Sequence, residues 1–219
     1  MGGRGSSYST PSNGTWSKGM GDKISDTLKG AIGKQGKPMS VGDAVVGTNP
    51  HHSADYKEFS QNCQRCVVAY ELRRRGYDVT ALPTYEGDKL PEIAYVDNKN
   101  NIYAARWRGA FKNAKTENVG VAGNNPTAEH AVMDNIADKM RSYGDGSRAV
   151  IQILYRGGGG HVFNVENDNG RIVYIEAQTG KIKDMPRTMK SVRTDSVNIV
   201  RVDNLRVSER AKNFVKKSK

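Results

Sequence analysis

Three apolar runs between residues 149 and 176 constrain this chain more than any other stretch. Ala149-Val150-Ile151-Gln152-Ile153-Leu154-Tyr155 reads as a buried strand. Arg156 and the glycines 157 to 160 follow it, and such a run lets backbones approach closely. His161-Val162-Phe163-Asn164-Val165-Glu166 reads as a second strand with His161 at its mouth. Asn167-Asp168-Asn169-Gly170 is a hairpin turn signal, and Arg171-Ile172-Val173-Tyr174-Ile175-Glu176 is the returning strand. Antiparallel pairing across that turn brings Glu176 near His161, with Gln178 two residues further on. A histidine at one strand end, faced by a carboxylate or amide, is the base-and-orienter half of a catalytic triad. An ordinary polar pair at a sheet edge is the plainer reading, and the glycines crowding His161 favour the functional one.

A nucleophile to match comes from Asn62-Cys63-Gln64-Arg65-Cys66, which holds both cysteines of the chain. With Val67 to Arg75 it spells an amphipathic helix, Cys63, Cys66, Val67 and Tyr70 on one stripe and arginines elsewhere. Ser60 or Asn62 is its expected cap and Gly76 its stop. Asn62 as cap puts Cys63 in the first turn, where unsatisfied amides and the positive end of the helix dipole favour a thiolate. Cys66, one turn further in, feels less of that field. Taken alone, the two cysteines are better explained as small core fillers. A zinc site with His51 and His52 matches no usual ligand spacing, and a redox CxxC lacks its preceding strand. His130, in the first turns of a helix predicted from Pro126 to Tyr143, reads as structural or solvent-facing. A short strand over residues 77–83, a hairpin over 93–107, a polar loop over 112–125, a loop over 185–194 and a strand over 197–202 complete the prediction.

The chain of 219 residues has room for one good-sized domain and tails. Residues 1–50 are rich in Gly, Ser, Thr, Asn and Lys and read as a flexible arm, with a helical turn or two at 24–32 and an extended piece at 41–46. Residues 51–203 form the expected domain and 204–219 a basic tail. The formal net charge is +11, of which residues 181–219 carry twelve Lys/Arg against four Asp/Glu. Phe214 is the one aromatic among the basic residues of 201–219, so no stacking platform for nucleic acid is read there. No apolar run of membrane-spanning length occurs, and the N-terminus lacks a secretory core, so a soluble protein without an export signal is expected.

A cysteine at a helix start, then a Gly-preceded histidine on a strand, then a polar orienter on the next strand is the papain-like chain order. The wording Asn62-Cys63-x-x-Cys66, Gly160-His161-Val162-Phe163-Asn164-Val165 and Ile175-Glu176-Ala177-Gln178-Thr179-Gly180 resembles the papain-fold toxins of the glutamine-deamidase type. These occur in polymorphic bacterial toxins and beside or within phage head proteins. The resemblance runs over about residues 55–185. It implies an α+β papain-like fold, the cysteine helix packed on a mainly antiparallel sheet, and hydrolysis of a glutamine side-chain amide in a target protein through a thioester. Carried over, Cys63 is the nucleophile, His161 the base, and Glu176 the orienter where the family commonly has aspartate. Cys66 and Gln178 are the alternates for nucleophile and orienter. The Cys63 backbone N–H, Asn62 and Gln61 are the oxyanion candidates.

No cofactor and no metal is implied. The implied partner is a target protein carrying the glutamine, with an immunity protein or a phage head protein as further candidates. The resemblance places the chain in the bacterial cytoplasm, on a virion or delivered into a target cell. A peptidase or a transglutaminase-like acyl transferase uses the same thioester and is the near alternative. A phage-head-associated interaction module without activity is the alternative of another class.

Overall fold

The computed structural model describes residues 24–84 and 106–218. Its helices are α1 (Asp26–Ile32), α2 (Val41–Thr48), α3 (Lys57–Ser60), α4 (Cys63–Arg74), α5 (Pro126–Tyr143) and α6 (Met185–Met189). Its strands are β1 (Val79–Ala81), β2 (Glu117–Asn118), β3 (Arg148–Leu154), β4 (Gly160–Asp168), β5 (Arg171–Glu176), β6 (Lys181–Ile182), β7 (Asn198–Arg201) and β8 (Val215–Lys217). The expected hairpin at 93–107 lies outside the described residues except for Arg106 and Trp107, which sit in a 3-10 turn, Arg106–Ala110.

The apolar runs that opened the sequence reading form the centre of a six-stranded antiparallel sheet of order β2-β7-β3-β4-β5-β6. The β4–β5 turn carries Asn169 at φ 53 and Gly170 at φ 86, the two left-handed residues that a tight twisted hairpin requires. Side chains alternate across this sheet and fill two cores. Val150, Val162, Ile175 and Val200 face α4 and its neighbours. Ala149, Ile151, Ile153, Phe163, Val165 and Ile199 face the other way, onto α5 and α6. Helix α5 is capped by Asn125, whose Oδ1 accepts from the Ala128 N–H at 2.9 Å, and buries Val132, Ile136 and Met140.

Helix α4 departs from the amphipathic expectation, for all twelve of its residues are buried. Arg74, and Arg75 just past its end, are paired with buried carboxylates. Glu71 accepts from Arg75 Nε at 2.7 Å, from Arg148 Nε at 2.7 Å and from Arg148 Nη2 at 3.0 Å. Glu166 accepts from Arg74 Nε at 2.8 Å, Arg74 Nη2 at 3.0 Å and the Tyr70 hydroxyl at 2.7 Å.

The back of α4 is covered by segments that the composition marks as arm and tail. Residues 24–50 are not an arm: Leu28 and Ile32 of α1 and Ala44 and Val45 of α2 join the α4 core, and 41–48 is helical rather than extended. Ser25 and Ser40 cap these helices, accepting from Leu28 N–H at 3.2 Å and Asp43 N–H at 3.1 Å. Residues 204–218 are not a frayed tail either. Ala211, Phe214 and Val215 are buried, and β8 pairs antiparallel with β1 as a separate two-stranded sheet. Few apolar residues suffice in both segments because each lands on the same helix.

Candidate active site

His161 and Glu176 meet across the β4–β5 hairpin. The register pairs Asn164 with Ile175, so Glu176 falls on the same face of the hairpin as His161 and diagonal to it. His161 Nε2 lies 2.7 Å from Glu176 Oε2. This occupies one ring nitrogen, and His161 also shares a hydrogen bond with the thiol of Cys63. Cys63 is the first residue of α4 and is 5% exposed. The helix is held on the sheet at this level by Asn164, whose Nδ2 donates to the Val67 carbonyl at 3.3 Å.

Burial works against a charged imidazole here. The hydrogen bonds to Cys63 and Glu176 and their charges overcome it and lift His161 to about 9. Burial likewise opposes the Glu176 carboxylate, but the bond to His161, its charge and the ammonium of Lys183 hold it down at about 2. The site therefore combines an ionised carboxylate with a ring that readily carries a proton. Tyr155, at the end of β3, is a near neighbour: burial first, then the charges of Glu176 and Cys63, push its hydroxyl up to about 12 and keep it neutral. Lys183 and Tyr155 belong to no motif, and sequence reasoning missed both.

The other candidates have different occupations. Asn62 does not cap α4 with its side chain. It is fully buried, with Nδ2 donating to Asn49 Oδ1 at 3.2 Å and to the Leu82 carbonyl at 3.1 Å, which engages the amide N–H groups an oxyanion would need. Cys66 is 1% exposed, and its thiol donates to Asn62 Oδ1 at 3.2 Å. Gln178 is buried two residues beyond Glu176. Its carbonyl accepts from Asn49 Nδ2 at 2.9 Å, while its own Nε2 is buried without a partner. Asn49 thus ties the Glu176-to-Gln178 segment to the residue before Cys63; its Nδ2 also reaches the Phe59 carbonyl at 2.8 Å. Gln61 is exposed beside the head of α4.

His51 and His52 are exposed, His51 against the Phe59 ring at 5.4 Å, and His130 Nδ1 lies 2.7 Å from the Pro126 carbonyl. None of the three joins Cys63. Among the described residues no three of His, Cys, Asp and Glu group as metal ligands.

This chain order and geometry coincide with a family match. The family described as papain fold toxin 1, glutamine deamidase, matches residues 61–181. The chain belongs to that family. No curated protein and no solved structure is matched. The match brackets Cys63, His161, Glu176 and Gln178, and the α+β arrangement, with the Cys63 helix packed on an antiparallel sheet, is the papain-like fold. Lys183 lies two residues beyond the matched segment. Among the described residues no helix is long and apolar enough to cross a membrane.

Proposed function

We propose that this protein is a cysteine amidohydrolase that deamidates a glutamine of a target protein through Cys63, His161 and Glu176. One observation carries the reading: a single imidazole is hydrogen-bonded both to a carboxylate and to a thiol at a helix start. Cys63 Sγ gives its proton to His161 and attacks the glutamine δ-carbon. The carbonyl oxygen becomes an oxyanion, stabilised by the Cys63 backbone N–H and the Gln61 side-chain amide. Each such donor is worth roughly 3–4 kcal/mol of barrier. The intermediate collapses as His161 returns the proton to the departing nitrogen, releasing ammonia and leaving a thioester. His161 then takes a proton from water as its oxygen attacks the thioester carbon; the C–S bond breaks, glutamate is formed, and His161 returns the proton to Cys63 Sγ. Glu176 holds the ring in one tautomer and offsets its charge throughout.

The family assignment supports the substrate class, and with it a role as a toxin acting on a protein of another cell. Ammonia release and intact mass, measured on a glutamine-rich protein substrate, test the reading. The expected result is a gain of about one mass unit per modified glutamine, lost in Cys63→Ala and His161→Ala and kept in Cys66→Ala. Fragmentation of the substrate would assign a peptidase, and incorporation of an added amine an acyl transferase. An inert Cys63 towards thiol probes would assign an interaction module.

A further inference from the structure

We propose that Lys183 is a positioning residue that sets the charge of the triad and so tunes the proton affinity of His161. This rests on the reading of Cys63, His161 and Glu176 as one reactive unit and adds a fourth member to it. Lys183 follows β6, and its backbone N–H donates to the Tyr174 carbonyl at 2.9 Å, which fixes its place on the sheet. Its Nζ lies 2.5 Å from Glu176 Oε2, the same oxygen that takes His161 Nε2 at 2.7 Å. The ammonium also stands 4.9 Å over the Phe163 ring, which stacks on His161 at a centroid distance of 6.1 Å. With a side chain 12% exposed, Lys183 is built into the site and is not a solvated surface lysine.

The charge count explains what it does. An orienter in a cysteine site may be a neutral amide, which adds no charge. Here it is a carboxylate, and a lone carboxylate beside a thiolate–imidazolium pair leaves the buried cluster with one net negative charge, which opposes the thiolate. Lys183 brings the count to zero while Glu176 keeps its grip on the ring. Among the described residues, the titratable groups acting on His161 are Cys63 from α4 and Glu176 from β5, with the neutral hydroxyl of Tyr155, at the end of β3, near both of these. Lys183 supplies a cation that acts on His161 through the shared oxygen.

The test is the rate of Cys63 alkylation by iodoacetamide from pH 4 to 11, with the modified residue located by mass spectrometry. It uses the full chain and needs no substrate. In the wild type the upper limb of the profile is set by His161 and disappears in His161→Ala. Lys183→Met removes a neighbouring positive charge, so the imidazolium persists longer and the upper limb moves up by about one pH unit. Lys183→Arg restores the wild-type limb to within a few tenths of a unit. Lys183→Gln is the second neutral variant should Met fold poorly, and it moves the limb in the same direction. An unmoved limb in the neutral variants overturns the proposal, as does an Arg variant that moves as far as Met. A wild type whose alkylation does not depend on His161 overturns the triad reading itself, a result distinct from the other two.

Discussion

Glu71→Gln is the substitution whose effect can be worked most directly from the structure. Glu71 is fully buried on the helix that carries Cys63, and its two oxygens take three hydrogen bonds from Arg75 and Arg148. Burial opposes its charge, but the two guanidinium groups win and hold the carboxyl at about 2 instead of 4.5. A difference of that size between folded and unfolded chains corresponds to about 3 kcal/mol. Removing one partner of a buried ionic cluster costs about 3–5 kcal/mol, since the remaining charges are left uncompensated. Against a typical domain stability of about 5–15 kcal/mol this is a large share.

The pH dependence carries its own sign. The unfolded chain binds the proton more readily than the folded one, so the stabilisation is complete above pH 4.5 and is lost as pH falls towards 2. Urea titrations followed by circular dichroism should show Glu71→Gln less stable than wild type by about 3–5 kcal/mol at pH 7, the gap narrowing steadily below pH 4.5. A gap under about 1 kcal/mol at pH 7, or one that stays constant from pH 6 to pH 3, would refute the charge argument.

Glu176→Gln should lower the His161 limb of the Cys63 alkylation profile from about 9 towards its ordinary 6.5; an unshifted limb would remove Glu176 from the triad. Cys66→Ala should keep full Cys63 alkylation while losing roughly 1 kcal/mol of stability with its bond to Asn62, and loss of reactivity would reopen the choice of nucleophile. Asn49→Ala leaves the Phe59 and Gln178 carbonyls without their donor and should cost roughly 2–3 kcal/mol, read as a fall in urea midpoint. Gly76→Ala would put a methyl group 2.4 Å from the Gly36 carbonyl oxygen at φ 94. A cost of about 2 kcal/mol or more is expected, and an unchanged melting temperature would show that the loop yields.

The hairpin that brings Glu176 to His161 was legible because every step of it is local: two apolar runs and one Asn-Gly turn. The helix of Cys63 was legible for the same reason. What the sequence hid depends on partners far along the chain. The arginines of α4 resemble a solvated face until Glu166 and Arg148 are placed beside it, from positions 92 and 77 residues from their α4 partners. The ends resemble disorder because Leu28, Ile32, Phe214 and Val215 are isolated in polar sequence, and only their shared landing place makes them core. Asn62 resembles a cap by position, yet its side chain turns to Asn49, thirteen residues upstream. Lys183 carries no motif signal at all, being one lysine in a basic segment.

The pairing of β1 with β8 also bears on the order in which the protein can be completed. Val79 and Lys217 are register partners, so the strand that leaves the Cys63 helix waits for a strand 138 residues further along (217 − 79) before it is closed. At a synthesis rate of about 5–20 residues per second, that wait lasts on the order of ten seconds. Through it the apolar rear of α4 lacks its last cover, and the ribosome holds a nascent chain whose thiol helix is made and not yet seated. The core behind α4 is therefore unfinished until residue 215 has been made, and stalling or truncation before that residue would leave it open.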